Sequence, residues 1–457
     1  MLDINVIREN PELVKESQIK RGLSTDEVTK LIKLDKDWRE LKTEVDELRS
    51  RRNKISEEIN KAKKQGKNIN NLIKEAKEIP KALENKEKLM GEKKEARDLI
   101  LKEIPNIVDK SVPIGDTSKN KVIKIHKTPK KLPFQAKDHA DILDSLNLLD
   151  TKKASEVSGS RFYYLKGDIV KLNLAIINFA LDILRKKKFT LVQPPYMLRK
   201  EALEGALPLG AFEEMIYKIE GEDLYLIGTA EHALNAYYLN EIIDVKNLPI
   251  RFAGISPCFR KEAGSHGKDT KGIFRIHQFE KIEQFIFCKP EDSWKEFELI
   301  LKNSEEILKQ LEIPFRFVIL SSQDIGRVPT KTIDFEGWFP SMKAYRELGS
   351  CSNCLDYQSR RSNTKYQEKN DLRFVHTLNN TAIATERMIA CIVDNFQQKD
   401  GSIKIPKALW KYTGFKKIEA KNKNQTKTKD KKPVKDKKKN SKKNKNQNRK
   451  VKKENKK

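Results

Sequence analysis

From Ser24 to Ile104 the apolar residues keep a three-four alternation twice over, a rhythm that commits the chain to two long helices packed side by side. The first seam runs through Leu31, Leu34, Trp38, Leu41, Val45, Leu48, Ile55, Ile59 and Ala62, with one gap at Arg52. Ser24, with Glu27 three residues on, can cap its start. The second runs through Ile69, Leu72, Ala76, Ile79, Leu83, Met90, Ile100 and Ile104; Lys86, Lys93 and Arg97 interrupt it, and Pro80 predicts a local kink. A repeat of this kind keeps a narrow apolar stripe on one side of a helix, and that stripe must be covered. Each seam can cover the other, because the polar run Lys63 to Asn68 contains Gly66 and can reverse the chain. The expectation is an antiparallel hairpin of two helices, each of about thirty-five residues and on the order of 50 Å long, whose seams bury mainly against each other. Such an arm suits a binding limb, a dimerisation coiled coil or a structural spacer. Arg49, Arg51, Lys61, Lys63 and Lys64 stand outside the seam, where they suit phosphate groups or plain solvation.

With 457 residues, 37% of them apolar, the chain has material for two folded domains and something extra. Its net charge of +28 points to a polyanionic partner, nucleic acid ahead of a membrane surface. The excess is uneven: Lys421 to Lys457 holds 19 Lys and Arg against 3 Asp and Glu, so this tail carries +16 and the rest of the chain +12. A Lys/Asn run of such low complexity predicts disorder in isolation, and suits non-specific RNA affinity, a solubility tail or a nuclear-import address. No stretch nears the apolar length that spans a bilayer, and MLDINVIREN is too polar and acidic for a signal or transit peptide; both predict a cytoplasmic protein without a membrane partner. Five cysteines, an odd number, suit a reducing compartment. Cys351 and Cys354 form a lone C-x-x-C without the second pair or the histidines that zinc needs, so ordinary buried thiols and no zinc are expected.

From Pro105 to about Asp150 the pattern turns irregular, with Pro113, Gly115, Pro129 and Pro133, and reads as a connector. VKLNLAIINFALDILR (170 to 185) predicts a strongly apolar helix, followed by a strand over Phe189 to Val192 and the pair Pro194-Pro195. Beyond it, β-like runs such as DLYLIG, IRFAGI, QFIFC and FRFVIL alternate with helical stretches such as 292 to 311. Neither G-x-G-x-x-G nor a Walker G-x-x-x-x-G-K-[ST] occurs, which removes the Rossmann and P-loop readings. The fold class is α+β, with an antiparallel sheet and flanking helices.

The densest polar segment is CFRKEAGSHGKDTKGIFRIHQFEKIEQ, Cys258 to Gln284. It begins and ends in β-like sequence around a charged, Gly-rich middle, and predicts two antiparallel strands joined by a long loop. Alternate strand residues share a face, so Arg260 and Glu262 point one way, as do Arg275, His277 and Phe279, then Lys281 and Glu283. A guanidinium for phosphate, a carboxylate for an adenine amine and a ring for the base would hold a nucleotide; singly, each residue is as readily a surface pair or core.

That segment resembles motif 2 of the seryl-tRNA synthetases, which are class II ligases. Gly228-Thr229-Ala230-Glu231 resembles their serine-binding T-A-E element, Tyr345 to Asn353 their ATP-binding strand, and Leu378 to Arg387 motif 3, with Asn395 to Gln398 and Gly401 to Leu409 as the usual ending. The apolar helix and strand closing at Pro195 are similar to motif 1, and the hairpin to the tRNA-binding arm. The resemblance implies a tRNA-binding hairpin over 1 to 108, a connector over 109 to 150, a class II catalytic domain over 151 to 415 and a basic tail over 416 to 457. It also implies ATP, L-serine and tRNA(Ser) as substrates, tRNA(Sec) as a second acceptor within the family, and a homodimer.

Residue by residue, the family pattern implies that Arg260 binds the α-phosphate, Arg387 the γ-phosphate end, and Glu262 the adenine amine, with Phe279 stacked on the base. Lys261, Arg275, Ile276, Leu348 and Gly349 fall in the same ATP-binding group. Glu347 and Ser350 would coordinate Mg²⁺ carried with ATP. Thr229, Ala230, Glu231 and Glu283 would surround serine, Glu283 taking its ammonium, while Asn379 or Thr381, or both, would hold its hydroxyl. Gly349 stands where many relatives have Ser, Ala or Val, a difference expected to matter little. His266 and His277 are tempting bases, but serine's carboxylate is already ionised and needs none. The loop wording is closer to archaeal and eukaryotic cytosolic forms than to most bacterial ones, and the ligands of the zinc-dependent methanogen type are absent. A non-catalytic RNA-binding relative would be expected to have lost Arg260, Glu283, Glu347 or Arg387, and all four stand.

Overall fold

Helix α1 (Asp26–Lys64) and helix α2 (Asn70–Glu103) are the two seams, turned back on each other around Gly66, which sits at a φ of +60°. The computed structural model in which they are seen describes residues 1–129, 131–262 and 271–420. The loop holding His266 and the tail from Lys421 therefore lie outside the described residues. The Ser24 hydroxyl accepts the Asp26 backbone N–H at 3.1 Å, and α2 continues through Pro80. Val45, Ile55, Ile79 and Leu83 are buried along the pair. Each charge that breaks the second seam meets an acid on the first: Lys86 pairs with Glu44, Lys93 with Asp37 at 2.8 Å, and Arg97 with Asp35 at 3.3 Å. Arg97 also lies 4.4 Å from the Trp38 ring centre. Arg49 and Arg51 are likewise engaged across the hairpin, with Glu87 at 2.7 Å and Glu75 at 2.6 Å. Of the five cations read outside the seam, Lys61, Lys63 and Lys64 occupy the last turn of α1 at the tip.

The base of the hairpin is rooted in the body, which corrects the expectation that the seams bury mainly against each other. Val28, Leu31, Leu101 and Ile104 share one buried cluster with Leu198, Leu203 and Leu207. The last carbonyls of α2 are capped from outside the arm: Arg361 donates to Lys102 O at 2.8 Å, Arg327 to Glu103 O at 3.1 Å, and the Tyr357 hydroxyl to Ile104 O at 2.8 Å. Unpaired carbonyls at a helix C-terminus carry partial negative charge, and two of these three caps are guanidinium groups.

The body is built on eight strands: β1 (Lys121–His126), β2 (Thr190–Val192), β3 (Ile250–Phe259), β4 (Gln278–Cys288), β5 (Phe315–Ile319), β6 (Lys331–Phe339), β7 (Ala344–Leu355) and β8 (His376–Ala384). Their order is β1-β5-β6-β7-β8-β4-β3-β2. All neighbours are antiparallel except β2, which runs parallel to β3 at the edge. The stretch Lys281 to Cys288 is buried throughout, as a central strand requires. Helices α3 (Asp168–Lys186), α5 (Ser293–Gln310) and α6 (Thr385–Phe396) join it in the main core, and the short α4 (Ala230–Asn235) lies against β3 and β4. The segment read as an irregular connector supplies β1, so part of 109 to 150 belongs to the sheet itself. Among the described residues no helix is long and apolar enough to cross a membrane.

Candidate active site

Strand β3 ends at Phe259 and β4 begins at Gln278, so the alternation read over Arg260 to His277 does not operate there. Arg260 and Glu262 still reach one cleft, because the chain turns: Glu262 takes a left-handed φ of +50° and accepts from Arg275 at 2.7 Å. His277 faces elsewhere, its Nδ1 donating to the Arg260 carbonyl at 2.8 Å and its ring 5.2 Å from Phe162. Lys261 extends over the Tyr217 ring, 5.7 Å from its centre. Arg260 is held by Gly228 O at 3.1 Å, with its guanidinium 5.2 Å from the Phe279 ring centre.

The opposite wall comes from β7 and the first turn of α6. Arg387 lies 2.9 Å from Glu347, and its positive charge holds that carboxyl below the usual carboxylate range. In the β6/β7 ladder Glu347 faces Glu336, Gly349 faces Phe335 and Ser350 faces Asp334, leaving Leu348 as the extra residue of a bulge. Gly349 has no room for a side chain: a Cβ there would lie 2.4 Å from the Phe335 ring and 2.8 Å from the Thr381 Cβ. Glycine is thus the residue that fits this position in this chain. Ile276, Leu348 and Gly349 line the cleft beside the charged groups. Sequence reasoning missed Phe274, whose ring lies 5.3 Å from the Arg387 guanidinium and 4.7 Å from that of Arg346.

A second cleft opens from the first and shares Arg260, Glu347 and Ser350 with it. Thr229 lines it and caps α4, its hydroxyl accepting Glu231 N at 3.3 Å. Ala230 turns instead into the core with Phe252 and Phe285. Glu231 Oε1 accepts from Asn379 at 3.0 Å and from Gln358 at 2.7 Å. Burial, and then the charge of Glu283, push the Glu231 carboxyl up to about 7. Glu283 is buried, 2.5 Å from Lys281 Nζ, and accepts from Thr381 Oγ1 at 3.4 Å. Lys281 also lines the first cleft. Its place two residues before Glu283 on one strand face was legible; a role for it was not drawn. Desolvation and Glu347 raise the carboxyl of Asp334, another residue the motifs did not single out.

All five cysteines are free, buried thiols, and burial pushes those of Cys351 and Cys354 well up. Among the described residues no group of three or more His, Cys, Asp and Glu side chains is set to hold a metal ion. Chemically, the first cleft offers guanidinium groups and aromatic rings, which suit polyphosphate and a planar base. The second is lined by the carboxylates of Glu231, Asp324, Asp334, Glu336 and Glu347 and by the Asn379 amide, which suit a small cationic ligand. Their shared wall lets groups held in the two clefts meet at Arg260 and the Glu347–Ser350 face.

An antiparallel sheet with these clefts defines a class II aminoacyl-tRNA synthetase core, and residues 215–396 match the family described as tRNA synthetase class II core domain (G, H, P, S and T). Residues 1–108 match the Seryl-tRNA synthetase N-terminal domain. The serine--tRNA ligase of Nitrosopumilus maritimus is 46% identical over 421 residues, 91% of this chain and 100% of that relative. That of Pyrococcus horikoshii is 47% identical over 443 residues, 92% and 97% of the two chains. Among solved structures, seryl-tRNA synthetase from Pyrococcus horikoshii complexed with ATP superposes with a TM-score of 0.90 at 46% identity, covering 92% of this chain and 100% of that one. The cytoplasmic serine-tRNA ligase from Naegleria fowleri in complex with AMP gives 0.83 at 39% identity, covering 92% and 99%. The chain belongs to the seryl-tRNA synthetase family.

Proposed function

We propose that the protein activates L-serine with ATP to seryl-adenylate and transfers the serine to tRNA(Ser). The observation that carries this reading is the junction of the two clefts at Arg260, where a small zwitterion and a nucleotide would meet. Attack of a carboxylate on an α-phosphate needs no covalent enzyme intermediate, only alignment and relief of charge. Arg260 binds the α-phosphate beside the serine carboxylate, and Arg387 the γ-phosphate end. Glu262, steadied by Arg275, accepts from the adenine amine, with the Phe279 ring against the base. Phe274 adds a second ring beneath Arg387.

Thr229, Glu231, Glu283, Asn379 and Thr381 enclose serine. Its ammonium competes with Lys281 for Glu283, which frees a cation next to the phosphates. Glu347 and Ser350 offer two hard oxygen ligands on one strand face, which fits Mg²⁺ that takes its remaining ligands from phosphate and water. Such an ion, bound with ATP, would neutralise phosphate charge. The hairpin within 1 to 108 holds the tRNA, with Lys61, Lys63 and Lys64 at its tip. The chain from 151 to 415 carries the chemistry, and the basic run from Lys421 adds salt-sensitive affinity for RNA.

Two copies pair through α3, where the apolar Val170 and Leu174 are 39% and 50% exposed on the face that also carries Lys171 and Asn178. The protein works in the cytoplasm. Incubation with ATP, Mg²⁺, labelled serine and unfractionated tRNA tests the proposal. Serine-specific charging is expected, and no charging would contradict it.

A further inference from the structure

Behind the wall of the second cleft, the short helix Tyr357–Ser362 carries Gln358, a side chain with no exposed surface. Its amide is fully engaged: Nε2 donates to Glu231 Oε1 at 2.7 Å and to Ala206 O at 3.1 Å, while Oε1 accepts from Thr377 Oγ1 at 2.7 Å. The orientation of that amide is fixed chemically. Ala206 O is a carbonyl and can only accept, so the nitrogen must be on the Glu231 side.

The second amide on Glu231, that of Asn379, reaches the same oxygen at 3.0 Å. Oε1 thus accepts two hydrogen bonds, and among the described residues none reaches Oε2. A carboxylate left to rotate would share its oxygens between protein and ligand; this one is clamped.

We propose that Gln358 is a positioning residue for the amino-acid substrate: it commits one oxygen of Glu231 to the protein and leaves the other facing the ligand. The inference rests on the reading of this cleft as the serine site. Gln358 itself lies outside the cleft lining, so its effect is transmitted through Glu231. A carboxylate oxygen fixed in this way rewards a ligand that donates at one place, which is how a pocket rejects an isostere lacking the donor. Thr377, buried and paired with Phe287 of β4 across the ladder, orients the amide from behind.

The test uses Gln358→Met, which keeps length and removes the donor, and the milder Thr377→Val, which removes only the orienting hydroxyl. Serine-dependent pyrophosphate exchange gives KM for serine, KM for ATP and kcat for each variant and for the parent. The expected result is a serine KM raised about tenfold in Gln358→Met and less in Thr377→Val, with the ATP constant and kcat within about twofold. Serine and ATP constants moving together would overturn the proposal, since they mark general loosening. An unchanged serine KM in both variants, beside normal exchange by the parent, would overturn it alone. No serine-dependent exchange by the parent would overturn the proposed activity and this inference with it.

Discussion

Glu347 and Ser350 stand three positions apart on one strand yet present their oxygens to the same side, because Leu348 is squeezed out of the ladder between them. A regular strand would turn residues three apart to opposite faces. The bulge sets Glu347 opposite Glu336 and Ser350 opposite Asp334, and it draws Gly349 so close to Phe335 that no side chain fits.

Gly349→Ala should therefore cost about 1–3 kcal/mol of stability, as overpacking does, and reduce exchange activity by displacing the bulge. Thermal unfolding of the single variant and of its combination with Phe335→Leu checks the cause. The smaller partner should recover part of the loss, the remainder reflecting the contact with the Thr381 Cβ.

Arg260→Ala and Arg387→Ala should each lower serine-dependent pyrophosphate exchange at least about a hundredfold, the loss expected when a charged transition-state contact disappears. Near-normal exchange in both would sink the assignment of the first cleft. Circular dichroism of the same samples separates this loss from unfolding.

How far the chain could be read beforehand follows from which residues were governed by local periodicity. The hairpin was legible because both seams repeat at the helical spacing, and Lys86, Lys93 and Arg97 looked like flaws only until Glu44, Asp37 and Asp35 were seen to answer them. The apolar helix, the strands flanking the charged loop and most of the cleft residues were legible from pattern and motif, Ala230 and Lys261 excepted. The shared face of Glu347 and Ser350 was not, since a bulge breaks the period-two rule. Nor was Phe274, which lies outside a regular strand. The root of the arm and the capture of Lys121–His126 by the sheet depend on contacts more than two hundred residues apart and on pairing with β5, which no local pattern records.

Glu231 links the second cleft to pH. Its carboxyl is raised from 4.5 to about 7, so the folded protein holds a proton there that the unfolded chain releases, and this group's contribution to stability declines as pH rises between those values. If ionised Glu231 serves serine, the serine KM should rise as pH falls through about 7. Glu231→Gln should flatten that dependence, raise the serine KM about tenfold or more, and leave the melting temperature at pH 8 equal to or above that of the parent. Parallel KM and melting profiles from pH 5.5 to 8.5 would check both signs.

The arm can be separated from the body only above its root. Replacing residues 43 to 88 by a short Gly/Ser link keeps the Lys93–Asp37 pair and the capped carbonyls of Lys102, Glu103 and Ile104. Serine activation should survive while charging of tRNA collapses, because the ATP and serine contacts remain and the surface that positions the acceptor end is gone. Full tRNA charging by the shortened protein would refute the binding-arm reading.

The central claim is that the junction of the two clefts joins serine to the α-phosphate of ATP. Exchange of labelled pyrophosphate into ATP by the purified protein, run with each of the twenty amino acids in turn and without tRNA, measures that step directly. Exchange that depends on serine, and falls to background with alanine and with no amino acid, is the predicted result. Exchange driven by a different amino acid, or none with serine, would contradict the account.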